Sequence, residues 1–384
     1  MDSPNTGADW TAGAAADPAR AGDLARPRSW RGSPPAGGAA PRAPEGGGAP
    51  PRAAIDDVDG ALTLGAAAAG AGDIRVHQDL IPGERSLAGH AATAGVVYRP
   101  LPLGPDLLDG AEVVLLRLPR SLDRLAEVAA LVAARAAPTV RIVAGGRIKY
   151  MPPAMNDVLR TVFDRVDVSP ARQKSRVLIA SGARPADAVA ASARWPQTQR
   201  HDDLGLTVAA HGGGFAGTRI DIGTRFLLAQ LVSAPRVERV VDLACGTGVI
   251  GAWLALGDPE VSVLSTDRSA AAVASARATA GINGVADRMS TAQADGLESL
   301  EDSSVQRIVL NPPFHDDAAV STRIAHVLFT DSGRALAPGG DLWCVWNSHL
   351  RYRPILERSV GPTRQVARNA KFTVTVSVRR SSAD

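Results

Sequence analysis

Hydrophobic and polar positions divide the chain into stretches of different period. Residues 1–55 are mostly Ala, Gly, Pro and Arg, as in GSPPAGGAAPRAPEGGGAPPRAA, with almost no β-branched or aromatic side chains. Such a stretch buries too little apolar surface to offset the entropy of ordering it, which predicts a disordered, low-complexity tail. Over residues 56–180, short apolar runs at 96–98, 112–118, 140–143 and 176–179 predict buried strands. Between them Ser121 is placed to cap a helix whose Leu122, Leu125, Val128, Ala129 and Val132 form an apolar stripe. Asn156 would cap another, through Val158, Leu159, Val162 and Phe163. This is the period of an α/β domain without a glycine-rich strand-to-helix loop.

Residues 181–204 are polar, lack periodicity and are expected to be a linker. Residues 205–384 alternate strictly between strand and helix. A strand at 206–210 leads into HGGGFAG, expected to be a flexible loop, and then into a helix after Asp221 whose face is Ile222, Phe226, Leu227 and Leu231. Strands follow at 239–243, 261–266, 289–292, 305–310 and 342–346, with helices at 249–256, 270–280 and 318–336. Alternation around Phe372, Val374, Val376 and Val378 predicts a closing antiparallel strand. Together these imply a parallel sheet with helices on both faces, which binds ligands at the carboxyl ends of its strands. Asp242, Asp267, Asp295 and Asn311 all fall at such ends.

The stretch VVDLACGTGVIG, from Val240 to Gly251, is a strand, a glycine loop and a helix opening. Gly246, Gly248 and Gly251 let the backbone approach a ligand whose polar groups meet the loop N–H groups and the helix N-terminus. The spacing, with Asp267 some twenty residues on, also fits a dinucleotide fingerprint, hence a nicotinamide oxidoreductase. Asp242 argues against that, because a carboxylate just before the loop suits the amino end of an amino-acid-like cofactor better than a pyrophosphate. Asp267 is placed to accept from ribose hydroxyls and Asp295 to meet an adenine edge; singly they also read as a helix cap and a turn residue.

Asn311, Pro312, Pro313 and Phe314 leave the strand at 305–310. The Asn311 amide oxygen and the Pro312 carbonyl can accept from an NH2 group and turn its lone pair toward a methyl donor. Two prolines preorganise those acceptors, and Phe314 offers a ring for stacking. The same tetrad also reads as a proline turn leaving a core strand. His315 reads as a rim or substrate-phosphate contact, not a general base, since the amine proton becomes acidic only as the methyl bond forms. The chemistry calls for neither metal nor covalent nucleophile.

The glycine loop and the NPPF tetrad together resemble class I S-adenosylmethionine-dependent methyltransferases. The order GRIKYMPPAMNDVL, QKSRVL, GFAGTRIDIGTRFLL, DLACGTG and NPPFH resembles, more narrowly, the bacterial ribosomal RNA guanine-N2 methyltransferases. That resemblance implies a C-terminal class I methyltransferase (Rossmann-like) domain preceded by a degenerate methyltransferase-like α/β domain that has lost its cofactor site. It implies S-adenosyl-L-methionine as cofactor and the exocyclic N2 amine of a guanine in ribosomal RNA as target. Phe215, Asp221, Gly223 and Thr224 would wall the methionine end, Asp242, Gly246 and Gly248 would hold its amino-acid part, Asp267 the ribose and Asp295 the adenine. Asn311 to Phe314 would hold the guanine, and Arg147, Lys149, Arg172 and Lys174 would contact RNA phosphates from the first domain. The chain departs from the family pattern at Ala244, where glycine is usual, and in HGGGFAG. Adenine N6 and protein glutamine methylation stay open as related activities, and an RNA-binding module with a relic cofactor fold as a different class.

Composition narrows the partners. Net charge +3 and pI near 9.2 permit an RNA or ribosomal-subunit partner without demanding one. The positive charge is nearly all arginine, with lysine only at Lys149, Lys174 and Lys371. Cys245 and Cys344 give no disulfide framework, and no run approaches the ~18 apolar residues of a membrane helix, so a cytoplasmic monomer is expected.

Overall fold

The computed structural model describes residues 51–313 and 318–380, without the side chains of 318–322. Its first unit is built from β1 (Arg52–Ile55), α1 (Ala61–Ala68), β2 (Ile74–His77), α2 (Ile81–Ala94), β3 (Arg99–Pro100), α3 (Pro105–Leu108), β4 (Val113–Arg117), α4 (Leu122–Arg135), β5 (Arg141–Arg147), α5 (Ala154–Arg160), β6 (Phe163–Val168), β7 (Ser175–Ala183) and α6 (Pro185–Ser192). A hairpin of β8 (Gln197–His201) and β9 (Leu206–Ala210) then opens the second unit. It continues with α7 (Ile222–Leu231), β10 (Arg239–Leu243), α8 (Val249–Gly257), β11 (Ser262–Asp267), α9 (Ala270–Ile282), β12 (Met289–Gln293), β13 (Val305–Leu310), α10 (Ala318–Ala335), β14 (Leu336–Asn347), α11 (Arg353–Ser359), β15 (Thr363–Arg368) and β16 (Phe372–Val378).

The two seven-stranded sheets have the same order, β3-β2-β1-β4-β5-β7-β6 and β12-β11-β10-β13-β14-β16-β15, with the last two strands antiparallel in each. The registers also match. Ile55 lies opposite Leu116, and Leu116 opposite Ala144, just as Leu243 lies opposite Leu310 and Leu310 opposite Cys344. The chain is thus a duplicated class I methyltransferase fold, and Arg117 of the first copy stands where Asn311 stands in the second.

Several expectations change. Residues 52–55, assigned to the tail, form an interior strand of the first sheet between β2 and β4, and Ala53, Ala54 and Ile55 are fully buried. The segment 181–204 is no free linker. Its helix α6 buries Ala188 against the first core and β8 pairs with β9. Both escaped notice because α6 is short and alanine-rich and β8 is a polar edge strand. Phe163 leaves the helix and opens β6, and Asn156 lies inside α5, which Pro153 precedes. Ser121 does cap α4, accepting from the Arg124 N–H at 3.2 Å. The α4 stripe Leu125, Val128 and Val132 is fully buried, each side chain contributing about 1.5–3 kcal/mol by leaving water.

Asp57 explains why the first copy has no ligand loop. Its carboxylate accepts from the N–H groups of Leu62 (3.0 Å) and Thr63 (2.7 Å), so the protein's own anion fills the helix N-terminus after β1. The two copies are tied together at the carboxyl ends of their sheets. Asp79 accepts from the Ala271 N–H and the Ser269 hydroxyl, both at 2.9 Å, capping α9 from the other unit. Glu127 on α4 takes the Gly212 N–H at 2.8 Å and lies 2.6 Å from His211 Nδ1.

Candidate active site

Strand β10 runs between β11 and β13 and carries Asp242 fully buried to its end. One carboxylate oxygen, Oδ2, accepts from the Gly251 N–H at 2.9 Å, and Oδ1 has no partner. Burial, reinforced by the charge of Asp267 and opposed by that N–H and by the nearby Ser265 hydroxyl, pushes the Asp242 carboxyl up to about 7. Burial beside the same carboxylates raises the Cys245 thiol, leaving it a poor nucleophile at neutral pH.

The glycines of the loop do different jobs. A Cβ on Gly248 (φ +75°) would stand 2.8 Å from Ala276, and one on Gly251 would overlap the Ser265 hydroxyl, so both are required by helix–strand packing. A Cβ on Gly246 would meet nothing closer than Phe215 Cβ at 3.7 Å, so it is the left-handed backbone, φ +55°, that calls for glycine there. Ala244 takes φ +55°, a left-handed conformation that costs a non-glycine residue about 1 kcal/mol. The backbone there is not ordinary, and the departure from glycine carries strain.

Asp267 ends β11 and is tied to both neighbours. Oδ2 accepts from the Gly246 N–H at 3.0 Å and Oδ1 from the Ser269 N–H at 2.9 Å, while burial raises its pKa. Asp295 lies 3.8 Å from Arg85 of the first unit, which also holds Glu298 at 2.6 Å. Asn311 follows β13, beside Ala244. Its Nδ2 donates to Thr224 Oγ1 at 2.9 Å and Asp221 Oδ2 at 3.2 Å, and its Oδ1 is buried without a donor. Pro312 is buried and Pro313 half-buried. Phe314 and His315 lie outside the described residues.

The loop HGGGFAG, expected to be flexible, is packed between the two units. A Cβ on Gly212 would run into the Asp123 carbonyl, one on Gly213 would stand 2.9 Å from Ala271, and one on Gly214 would stand 3.1 Å from Thr247. The glycines permit close approach rather than motion. Phe215 then lies beside Gly246 and is 46% exposed. Asp221 caps α7, its Oδ2 accepting from the N–H groups of Gly223 (2.8 Å) and Thr224 (3.1 Å). Ile222, assigned to the buried face of that helix, is 62% exposed.

Arg147, Lys149, Arg172 and Lys174 are all exposed and come together where β5 ends and β7 begins, with Arg147 opposite Ser175 and the Ile148 N–H on the Lys174 carbonyl. Tyr150 joins them, with Arg120 at 4.3 Å and Lys149 at 4.5 Å from its ring centroid. By register the first copy's counterpart of the NPP turn begins at Arg117, after the neighbouring strand β4, and the cluster stands where β14 ends and β16 begins in the second copy. Asp79, Arg85 and Glu127, which brace the second unit, were missed because their partners lie far along the chain; only the duplicated register exposes Arg117 and Arg120. Among the described residues no group of three His, Cys, Asp or Glu side chains is placed to hold a metal, and no helix is long and apolar enough to cross a membrane.

Comparison with known proteins agrees with this geometry. The methyltransferase small domain family matches residues 205–376 and the RLMG N-terminal domain family residues 48–184. The ribosomal RNA large subunit methyltransferase G of Streptomyces coelicolor is 38% identical over 277 residues, 71% of this chain and 73% of that protein. The protein of that name from Ectopseudomonas mendocina is 35% identical over 299 residues, 78% and 79% of the two chains. Among solved structures, the T. thermophilus 16S rRNA N2 G1207 methyltransferase (RsmC), in complex with AdoMet and guanosine, superposes with a TM-score of 0.67 at 21% identity, covering 86% of this chain and 88% of that one. With both halves matched by family models and these relatives covered over more than two thirds of their length, the chain belongs to the ribosomal RNA large subunit methyltransferase G family of guanine-N2 methyltransferases.

Proposed function

We propose that the protein methylates the exocyclic N2 amine of a guanine in large-subunit ribosomal RNA, with Asn311 as the acceptor that holds the amine. The observation that carries this reading is the buried Asn311 Oδ1, an acceptor with no donor at the end of β13. A buried carbonyl without a partner costs about 1–3 kcal/mol, and an NH2 group entering the site would satisfy it. The donor set also fits S-adenosylmethionine. Asp242 Oδ1 is a second buried acceptor without a partner, room for a Cβ lies beside Gly246, and Asp267 ends β11 while Asp295 follows β12 by two residues.

When bound, the cofactor supplies an electrophilic methyl group. The chain's part is to hold and orient. Asp242 and the loop N–H groups would take the amino-acid end, Asp267 the ribose hydroxyls and Asp295 the adenine. Asn311 Oδ1 and the Pro312 carbonyl would draw on the two amine hydrogens, turning the nitrogen lone pair toward the methyl group. The amine proton leaves after the bond forms, so no strong base is needed.

The cluster of Arg147, Lys149, Arg172 and Lys174 would hold RNA phosphates, and a protein acting on ribosomal RNA is inferred to work in the cytoplasm, as a monomer. Guanine is favoured over adenine or a protein amide by the large-subunit methyltransferase relatives and by the guanosine complex of the T. thermophilus neighbour. The test is Asn311→Ala. Turnover on ribosomal RNA from a strain lacking this gene, read as labelled N2-methylguanosine, should fall at least ~100-fold with cofactor affinity nearly unchanged. Wild-type turnover in that variant removes the assigned role, and label in another nucleoside removes the target.

A further inference from the structure

An asparagine amide is nearly symmetric in shape, so its site must distinguish nitrogen from oxygen by hydrogen bonding. At Asn311 the sorting is complete. Both hydrogens of Nδ2 are taken, one by Thr224 Oγ1 at 2.9 Å and one by Asp221 Oδ2 at 3.2 Å. An ionised carboxylate only accepts, so a turned amide would set two acceptors against each other. It would also present N–H groups to an incoming amine, the wrong polarity for holding it.

We propose that Asp221 and Thr224 are positioning residues that lock the Asn311 amide with its carbonyl toward the target amine. This rests on the reading of Asn311 given above and assigns to Asp221 and Thr224 a task other than walling the cofactor. The lock is rigid for three reasons. Asp221 Oδ2 also accepts the Gly223 and Thr224 N–H groups, so the cap of α7 fixes the carboxylate before any substrate arrives. The helix N-terminus favours its charge. Gly223 is needed beside it, since a Cβ there would stand 2.9 Å from Asp221 Oδ2 and 3.1 Å from the Phe372 ring. Asp221, Gly223 and Thr224 of the DIGT segment are thus held together by one hydrogen-bonded unit that ends on Asn311.

The test is a polarity swap in the full-length protein, with methyl transfer, calorimetric cofactor binding and thermal midpoint measured for each variant. Asn311→Asp sets a carboxylate against Asp221 and should lower kcat about 100-fold. Asp221→Ala removes the one oxygen, Oδ2, that both caps α7 and holds Nδ2, and should lower kcat about tenfold with cofactor affinity within about twofold, the thermal midpoint reporting the lost cap separately. Pairing Asn311→Asp with Asp221→Asn lets the amide at 221 turn its NH2 to the new carboxylate, giving up the α7 cap, and leaves one carboxylate oxygen for the amine, so the double variant should recover at least about tenfold over Asn311→Asp alone. Thr224→Val, which keeps the shape without the hydroxyl, should lower kcat as a separate check on one arm of the lock. Wild-type kcat in Asp221→Ala, or a double variant no better than Asn311→Asp, overturns the lock while a dead Asn311→Ala keeps the reading of Asn311. Wild-type turnover in Asn311→Ala overturns both.

Discussion

Asp242 offers a test of the site that needs no substrate. Its carboxyl is fully buried and pushed from 3.8 to about 7, so in the folded protein it holds its proton over a range where the unfolded chain has lost it. A raised carboxyl pKa makes stability fall as pH rises: nothing is lost below the unfolded value, and the loss is complete above the folded one. About three pH units at about 1.4 kcal/mol each gives a total near 4 kcal/mol, of which about 3 kcal/mol falls between pH 5 and pH 8. Asp242→Asn keeps an oxygen to accept from the Gly251 N–H and cannot ionise. Urea unfolding of both proteins, followed by far-ultraviolet dichroism at fixed ionic strength from pH 5 to pH 8, gives the difference curve. The variant should gain on the wild type steadily toward high pH, ending about 3 kcal/mol ahead of its relative position at pH 5. Parallel curves would show that Asp242 stays ionised throughout, and the unpartnered Oδ1 could not then be read as a neutral carboxyl awaiting a cation.

Three further outcomes are expected. Cofactor binding at pH 6 should release a fraction of a proton, because an ammonium beside Asp242 draws its pKa back down; calorimetry in buffers of different ionisation enthalpy reads the number, and zero release removes the contact. Gly212→Ala should destabilise the protein by about 1–3 kcal/mol and expose the junction of the units to limited proteolysis, since its Cβ meets the Asp123 carbonyl, a backbone atom that does not yield easily. Replacing both Lys149 and Lys174 by alanine should weaken RNA binding and flatten the slope of log affinity against log salt by about 1.4, as expected for two lost contacts to single-stranded phosphates; an unchanged slope takes the β5–β7 end out of the RNA interface.

Much of the catalytic half was legible because its signals are local. Strands β10, β11 and β13 were foreseen nearly to the residue, since a buried parallel strand is a short apolar run whatever surrounds it, while β12, a half-buried edge strand, was placed by the alternation of strand and helix. The glycine loop and the NPP turn are likewise local. The first half was harder: β1, β2 and β6 were missed, the buried strand expected at 96–98 falls on irregular backbone before β3 with Val97 85% exposed, and β1 lay in an alanine-rich stretch indistinguishable by composition from the tail before it.

By itself the sequence determined the parallel α/β architecture of the second unit, the positions of its strand-end acidic residues and the family. Tertiary structure alone decided which of those residues face one another. The Asn311 amide is oriented by Asp221 and Thr224, some 90 positions earlier. The HGGG loop is held by Glu127 and the Asp123 backbone of the other unit. The first sheet repeats the second strand for strand, although its sequence keeps neither glycine loop nor NPP turn. The physical reason is the range of the interactions. Burial and turn chemistry are written into a few neighbouring residues, whereas hydrogen bonds between distant side chains exist only after the backbone has brought their ends together, and no periodicity records which ends will meet.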